Sequence, residues 1–392
     1  YDMWNTDNPD PHVDSFRALY KSIPFFMART DRGDYGIFFD TTYKSVFDMG
    51  KESADYYYFA ADAGNLDYYF FAGNSLPEIL TAYTDLTGRA PLPQIWSLGY
   101  HQSRWSYKTE EEVRFIGDTL RKLRIPCDSI HLDIDYMERY KVFTWNRERF
   151  PDPKKMLSDL KNEGFKIVTI IDPGVKVEKG YPLYEEGMEK GYFVVSPSGE
   201  TYVNAVWPGD AVFPDFGNPA VRNWWARQQK TLTDMGVRGV WNDMNEPATF
   251  RGEIPEDVIF SDEEQKTNHA RMHNVYGHLM AKATYEGLKE ADGRRPFVIT
   301  RACYAGTQKY STAWTGDNHS IWAHLQMVVP QLCNLSLSGM PFVGTDIAGF
   351  GSDATPELLV RWVETGCFSP LFRNHCCLSA VRQEPWVFGK EV

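Results

Sequence analysis

The chain has 392 residues, 43% hydrophobic and 15% aromatic, with a formal net charge of −12. That apolar content supports a large core and excludes a disordered chain, while an acidic balance with no basic patch excludes a nucleic-acid partner. No apolar run reaches the roughly 18 residues of a membrane span, so no membrane partner is expected. Six cysteines form no C-x-x-C pair; read as reduced, they predict a cytoplasmic protein. The start Tyr1-Asp2-Met3-Trp4-Asn5 resembles no signal peptide and lacks an initiator Met, so a fragment whose true N-terminus is missing is expected.

Residues 1–88 read as β-rich. After a polar, Pro-broken loop at Trp4–Pro11, aromatic runs at Pro24–Arg29, Tyr35–Thr41, Tyr56–Ala61 and Leu66–Ala72 are separated by Gly, Asp and Asn, as in antiparallel strands. A helix follows at Pro77–Leu86, and Gly88–Pro93 reads as a boundary. From residue 89 to 392 short apolar runs alternate with amphipathic helices. The predicted strands are Trp96–Tyr100, Ser129–Ile134, Lys166–Ile171, Val237–Trp241, Pro296–Thr300, Ser311–Trp314 and Phe342–Gly344. Between them, Thr109–Arg124 opens on a capping box, and Asp152–Glu163 has Asp as its cap and Pro at its first turn.

Strand–helix alternation predicts a parallel sheet covered by helices. Every strand ends in polar or acidic residues, whereas a doubly wound sheet concentrates its site at one switch point. A (β/α)8 barrel is therefore preferred. Seven strands are evident, and the eighth is expected beyond Val392 unless it is hidden in the sequence. The stretch 174–214 reads as an irregular insertion of functional length.

No G-x-S-x-G, P-loop or dinucleotide fingerprint occurs. His269 and His273 lie four apart, but without a metalloprotease Glu between them they make a weak metal pair, and His375-Cys376-Cys377 a weaker one. No metal or cofactor is required. What remains is carboxylates among aromatics, the equipment of glycoside hydrolysis. Asp243, at the end of V-R-G-V-W-N-D-M-N-E-P, and Asp317, in W-T-G-D-N, each follow a strand and a Trp. From the pattern alone, either could instead cap the next helix.

W-N-D-M-N-E-P resembles the nucleophile signature of glycoside hydrolase family 31, in its α-glucosidase branch. H-L-D-I-D-Y-M, I-I-D-P, W-P-G, R-A, W-T-G-D-N, T-D-I-A-G-F and R-N-H follow the family's order from residue 131 to 375. The resemblance implies a retaining, exo-acting α-glucosidase that releases terminal α-linked glucose from maltose-like or isomaltose-like oligosaccharides. Asp243 would be the nucleophile and Asp317 the acid/base. Asp133, Arg301 and His375 would bind sugar hydroxyls, and Asp7 would reach in from the N-terminal loop. Trp207, Trp241, Met244, Trp314 and Phe350 would shape the pocket, with Ile134 and Ile171 behind. Asp346 and Arg373 would orient the others, and Trp105 would belong to the +1 subsite.

The α-xylosidase branch, whose segment reads K-T-D-F-G-E, is the alternative that Trp241, Met244 and Asn245 disfavour. Measured against the family, residues 1–88 would be part of a β-sandwich and residues 89–392 a barrel truncated at its C-terminus. An inactive or sugar-binding fragment is the remaining alternative. The partner is a small oligosaccharide, and homo-oligomeric assembly is compatible with the sequence.

Overall fold

The computed structural model describes residues 1–12 and 16–392. At its centre is a closed barrel of eight parallel strands. These are Tyr100–Gln102, Ser129–Leu132, Lys166–Ile171, Gly239–Asn242, Val298–Thr300, Thr312–Trp314, Val343–Ile347 and Leu371–Asn374. They run around the ring in chain order, and the last returns to the first through Phe372↔Tyr100 and Arg373↔His101. Strands covered on both faces read as continuous β-branched runs, as in the buried Ile167–Ile171. Side-chain caps start the surrounding helices: Thr109 accepts from the Glu112 N–H at 3.2 Å, and Asp152 from the Lys155 N–H at 2.9 Å.

Two expectations are corrected here. The eighth strand is not beyond Val392; it is Leu371–Asn374, and the barrel closes within the chain. Its L-F-R-N sequence hides it, because Arg373 is fully buried yet paired across the seventh strand with Asp346 at 2.7 Å. The first strand is Tyr100–Gln102, whereas Ile95–Leu98 forms a 3₁₀ turn. Trp96 belongs to that turn and packs on Phe297 with ring centroids 5.0 Å apart, an apolar plug that the sequence pattern mistakes for a strand.

The insertion at 174–214 is ordered rather than irregular. Val175–Lys176, Val203–Val206 and Gly209–Val212 form an antiparallel sheet, with a helix at Pro182–Lys190. Its hairpin turns at Trp207-Pro208, and Gly209 supplies a positive φ of 90°. The N-terminal residues make two three-stranded antiparallel sheets. One holds Phe25–Thr30, Gly33–Phe39 and Tyr68–Gly73; the other holds Asp2–Met3, Ser45–Asp48 and Tyr58–Ala61. The helix Leu76–Thr87 lays Ile79 and Tyr83 on the first sheet, and this cluster continues into Ala313 and Val343 of the barrel.

Closure of the ring depends on a missing side chain. A Cβ on Gly344 would collide with the backbone carbonyl of Leu371 in the neighbouring strand. Gly344→Ala should therefore cost about 3 kcal/mol, the upper end for overpacking, because backbone rather than a side chain must yield. The urea unfolding midpoint measures it.

Candidate active site

The fourth strand ends in a turn held to its neighbours. The Asp243 N–H donates to the Ile171 carbonyl at 3.3 Å, and Met244 takes a positive φ of 55°. Asn245 donates to the Thr300 hydroxyl at 2.9 Å and accepts from the Ala302 N–H at 3.0 Å, fixing the turn to the fifth strand. Every polar atom bonded in this way is one that burial does not penalise.

Arg301, at the end of the fifth strand, is 2% exposed and meets four carboxylates. Its Nε and Nη2 donate to Glu246 at 3.0 and 2.8 Å, a bidentate pair. Nε also lies 3.1 Å from Asp243, Nη2 3.4 Å from Asp7, and Nη1 3.6 Å from Asp317. The Tyr20 ring covers the guanidinium at 5.0 Å. Asp243 and Asp317 thus converge on one cation from strands four and six.

Opposite them, Asp133 accepts from the Ile134 N–H at 2.7 Å and faces His375 Nε2 at 3.7 Å. His375 stacks on Phe350 with centroids 5.1 Å apart, and its Nδ1 bonds Ser103 at 2.8 Å. The cavity holds about 210 Å³, less than the about 300–1,000 Å³ that drug-sized ligands need, so it suits one sugar ring. Trp207 at the hairpin tip meets Trp105 at 4.9 Å and Phe250 at 4.8 Å, forming an aromatic rim.

Of the residues singled out by sequence, Asp7, Trp105, Asp133, Ile134 and Trp207 line this cavity. So do Trp241, Asp243, Met244, Arg301, Trp314, Asp317, Phe350 and His375. Three do not. Ile171 is buried in the core while Ile170 faces the cavity. Asp346 and Arg373 sit behind the wall, with the Arg373 guanidinium 4.4 Å from the Trp241 ring and 4.9 Å from Trp314. Sequence reasoning missed Pro9, Ile170, Phe250 and Tyr20. Only Phe250, six residues from Met244 across a Pro, carried any signal.

His269 and His273 are no metal pair. They bond each other at 2.9 Å, Ile254 O at 2.9 Å and Asn5 O at 2.6 Å, and Trp4 stacks on His273 at 3.7 Å. Their work is to seat the loop that carries Asp7. Asn274 completes the clamp, bonding the Asn5 N–H at 2.9 Å. No group of three or more potential metal ligands occurs among the described residues.

Burial pushes the Asp317 carboxyl well above its ordinary value; Arg301 opposes this, and the negative Asp243 and Asp7 add to it. Burial likewise raises Asp133 and lowers His375, to which the Arg373 and Arg104 charges contribute. Burial works against the Arg301 charge, but its four carboxylates hold the proton firmly. One guanidinium serves both Asp243 and Asp317, at a longer distance to Asp317.

Removing that cation strands buried charge. Arg301→Met should cost about 3–5 kcal/mol near neutral pH. With the cation gone, the carboxylates bind protons more tightly in the folded state than in the unfolded, so the loss shrinks as pH falls. Urea unfolding at about pH 5 and about pH 8 tests the sign.

Comparison with known proteins agrees with this geometry. Residues 90–392 match the Glycosyl hydrolases family 31 TIM-barrel domain, and residues 1–48 the Glycosyl hydrolase 31 N-terminal galactose mutarotase-like domain. Alpha-glucosidase 2 of Bacillus thermoamyloliquefaciens is 49% identical over 392 residues, 99% of this chain and 50% of that protein. The crystal structure of a glucosidase II alpha subunit in its Glc1Man2-bound form superposes with a TM-score of 0.93 at 35% identity, covering 100% of this chain and 44% of that one. The Flavobacterium johnsoniae GH31 dextranase complexed with glucose gives 0.92 at 36% identity, covering 100% and 49%. The chain spans about half the length of the curated relatives it matches. With its barrel, the order of its motifs and these matches in agreement, the chain belongs to glycoside hydrolase family 31.

Proposed function

We propose that the protein containing this chain is a retaining, exo-acting α-glucosidase. The observation that carries the reading is the pair Asp243 and Asp317 on one buried guanidinium at a cavity sized for one ring. Asp243 attacks the anomeric carbon while Asp317, holding a proton because of its raised pKa, protonates the leaving oxygen. Asp317 then removes a proton from water, which displaces Asp243 and frees glucose with its α configuration kept. Retention calls for carboxyl groups about 5–5.5 Å apart, and a shared guanidinium supports that closeness. Asp133, Asp7, Arg301 and His375 bind the hydroxyls of the terminal ring, and a cavity of one ring's size favours non-reducing ends.

Trp105 and Trp207 supply flat faces for the next sugar, and Trp241, Met244 and Asn245 favour glucose over xylose. Residues 1–88 are assigned to a β-domain that lends the loop carrying Asp7, and residues 89–392 to the barrel. The six cysteines are free, which fits a reducing, cytoplasmic setting. No helix of the described residues is long and apolar enough to cross a membrane.

Asp243→Ala should abolish hydrolysis of maltose, isomaltose and p-nitrophenyl α-glucoside. Activity equal to the parent would end the reading, and inactivity of both would support an inactive fragment. Asp317→Ala should lose about 10²–10⁴-fold on maltose but much less on p-nitrophenyl α-glucoside, whose leaving group needs no proton. The parent's kcat/KM should fall at alkaline pH as Asp317 ionises, and that limb should vanish in the variant. NMR of the first-formed anomer checks retention.

A further inference from the structure

One buried carboxyl next to the site, outside the cavity lining, has no cation of its own. Asp172 follows the third barrel strand, whose register places Ile171 beside Asn242 of the fourth. Since the Asp243 N–H bonds the Ile171 carbonyl at 3.3 Å, Asp172 is packed beside Asp243. It is 4% exposed, and its Oδ1 is buried without a hydrogen-bond partner. Among the described residues its carboxyl makes no ion pair, whereas Arg301 is already within reach of Asp7, Asp243, Glu246 and Asp317. An unpaired buried carboxylate is strongly disfavoured, and a proton removes that penalty.

We propose that Asp172 is a positioning residue, a neutral acid packed behind Asp243. This rests on the reading of Asp243 as nucleophile. The surroundings agree. Asp243 and Glu246 face Asp172 from the turn after the fourth strand, and Asp133 and Tyr136 from the turn after the second. Arg301 faces it from the fifth. Burial pushes its carboxyl well above the ordinary value, and Asp243 adds to this while Arg301 opposes it. An ionised Asp172 would compete for Arg301 and raise the proton affinity of Asp243, which has to be anionic to attack. Held neutral, it fills the space behind the nucleophile without adding to its field.

The test compares the whole protein with its Asp172→Asn variant, an isostere of the neutral acid. A carboxyl whose proton affinity is raised on folding makes the protein lose stability as pH rises from the unfolded value toward the folded one. The amide does not titrate. The Tm of Asp172→Asn minus that of the parent should therefore grow by several degrees from about pH 5 to about pH 8. A purely structural role would give a difference that does not change with pH, and that result overturns the proposal.

The acid limb of kcat/KM should stay in place in Asp172→Asn. A fall of about one unit or more would mean that a negative neighbour had been removed, and overturns it as well. So does a variant that cannot fold, since a neutral side chain of the same shape would then have been rejected. If the parent hydrolyses none of the glucosides, the reading of Asp243 fails, and the Tm series still decides where Asp172 keeps its proton.

Discussion

A single buried guanidinium organises the mouth of this barrel. Arg301 meets the turn after strand four, the turn after strand six and the N-terminal loop. Glu246 takes the best geometry, two parallel bonds, and so fixes the plane of the guanidinium. Once that plane is set, the positions of Asp243, Asp7 and Asp317 follow. Crowding carboxylates in a dry cavity raises their proton affinity, and one cation shared unequally sorts them. The same arrangement that holds the site together therefore also raises the proton affinity of Asp317.

A second pair works one layer deeper. Asp346 and Arg373 are fully buried and face each other across the last two strands. The Arg373 guanidinium lies against Trp241 and Trp314, the aromatic walls beside the two proposed catalytic acids. Barrel closure and pocket shape are thus parts of one contact set, which is why a short, polar strand suffices to finish the ring.

The sequence was most readable where polarity stood in the wrong place. Asp243, Asn245 and Glu246 interrupt a buried run, and such polarity at a strand end is legible as a site without any fold. It was least readable where tertiary partners decided the outcome. L-F-R-N becomes a strand only because Asp346 neutralises Arg373, and no local pattern announces a partner 27 residues away. Trp96 made the opposite error, since a plug and a strand look alike when both are apolar. Tyr20 and Pro9 could not be found at all. Their place at the site comes from the route of the chain, and nothing in their neighbours' identities hints at it.

The clamp on the N-terminal loop joins residues far apart along the chain. Asn5 is bonded to Asn274 and also to the Cys303 carbonyl, 298 positions away. Contacts of such sequence separation close late in folding, because the entropy of ordering the chain between them must be met first. The floor of the cavity comes from successive strands, but the loop carrying Asn5 and Asp7 precedes them and is held by residues beside the fifth strand. A chain lacking the fifth strand would lose Thr300 and Ala302, which fix the turn after Asp243, as well as the Cys303 carbonyl that the N-terminal loop meets. The turn after the fourth strand and the loop opposite it therefore become ordered together, on the same short segment, residues 300–303.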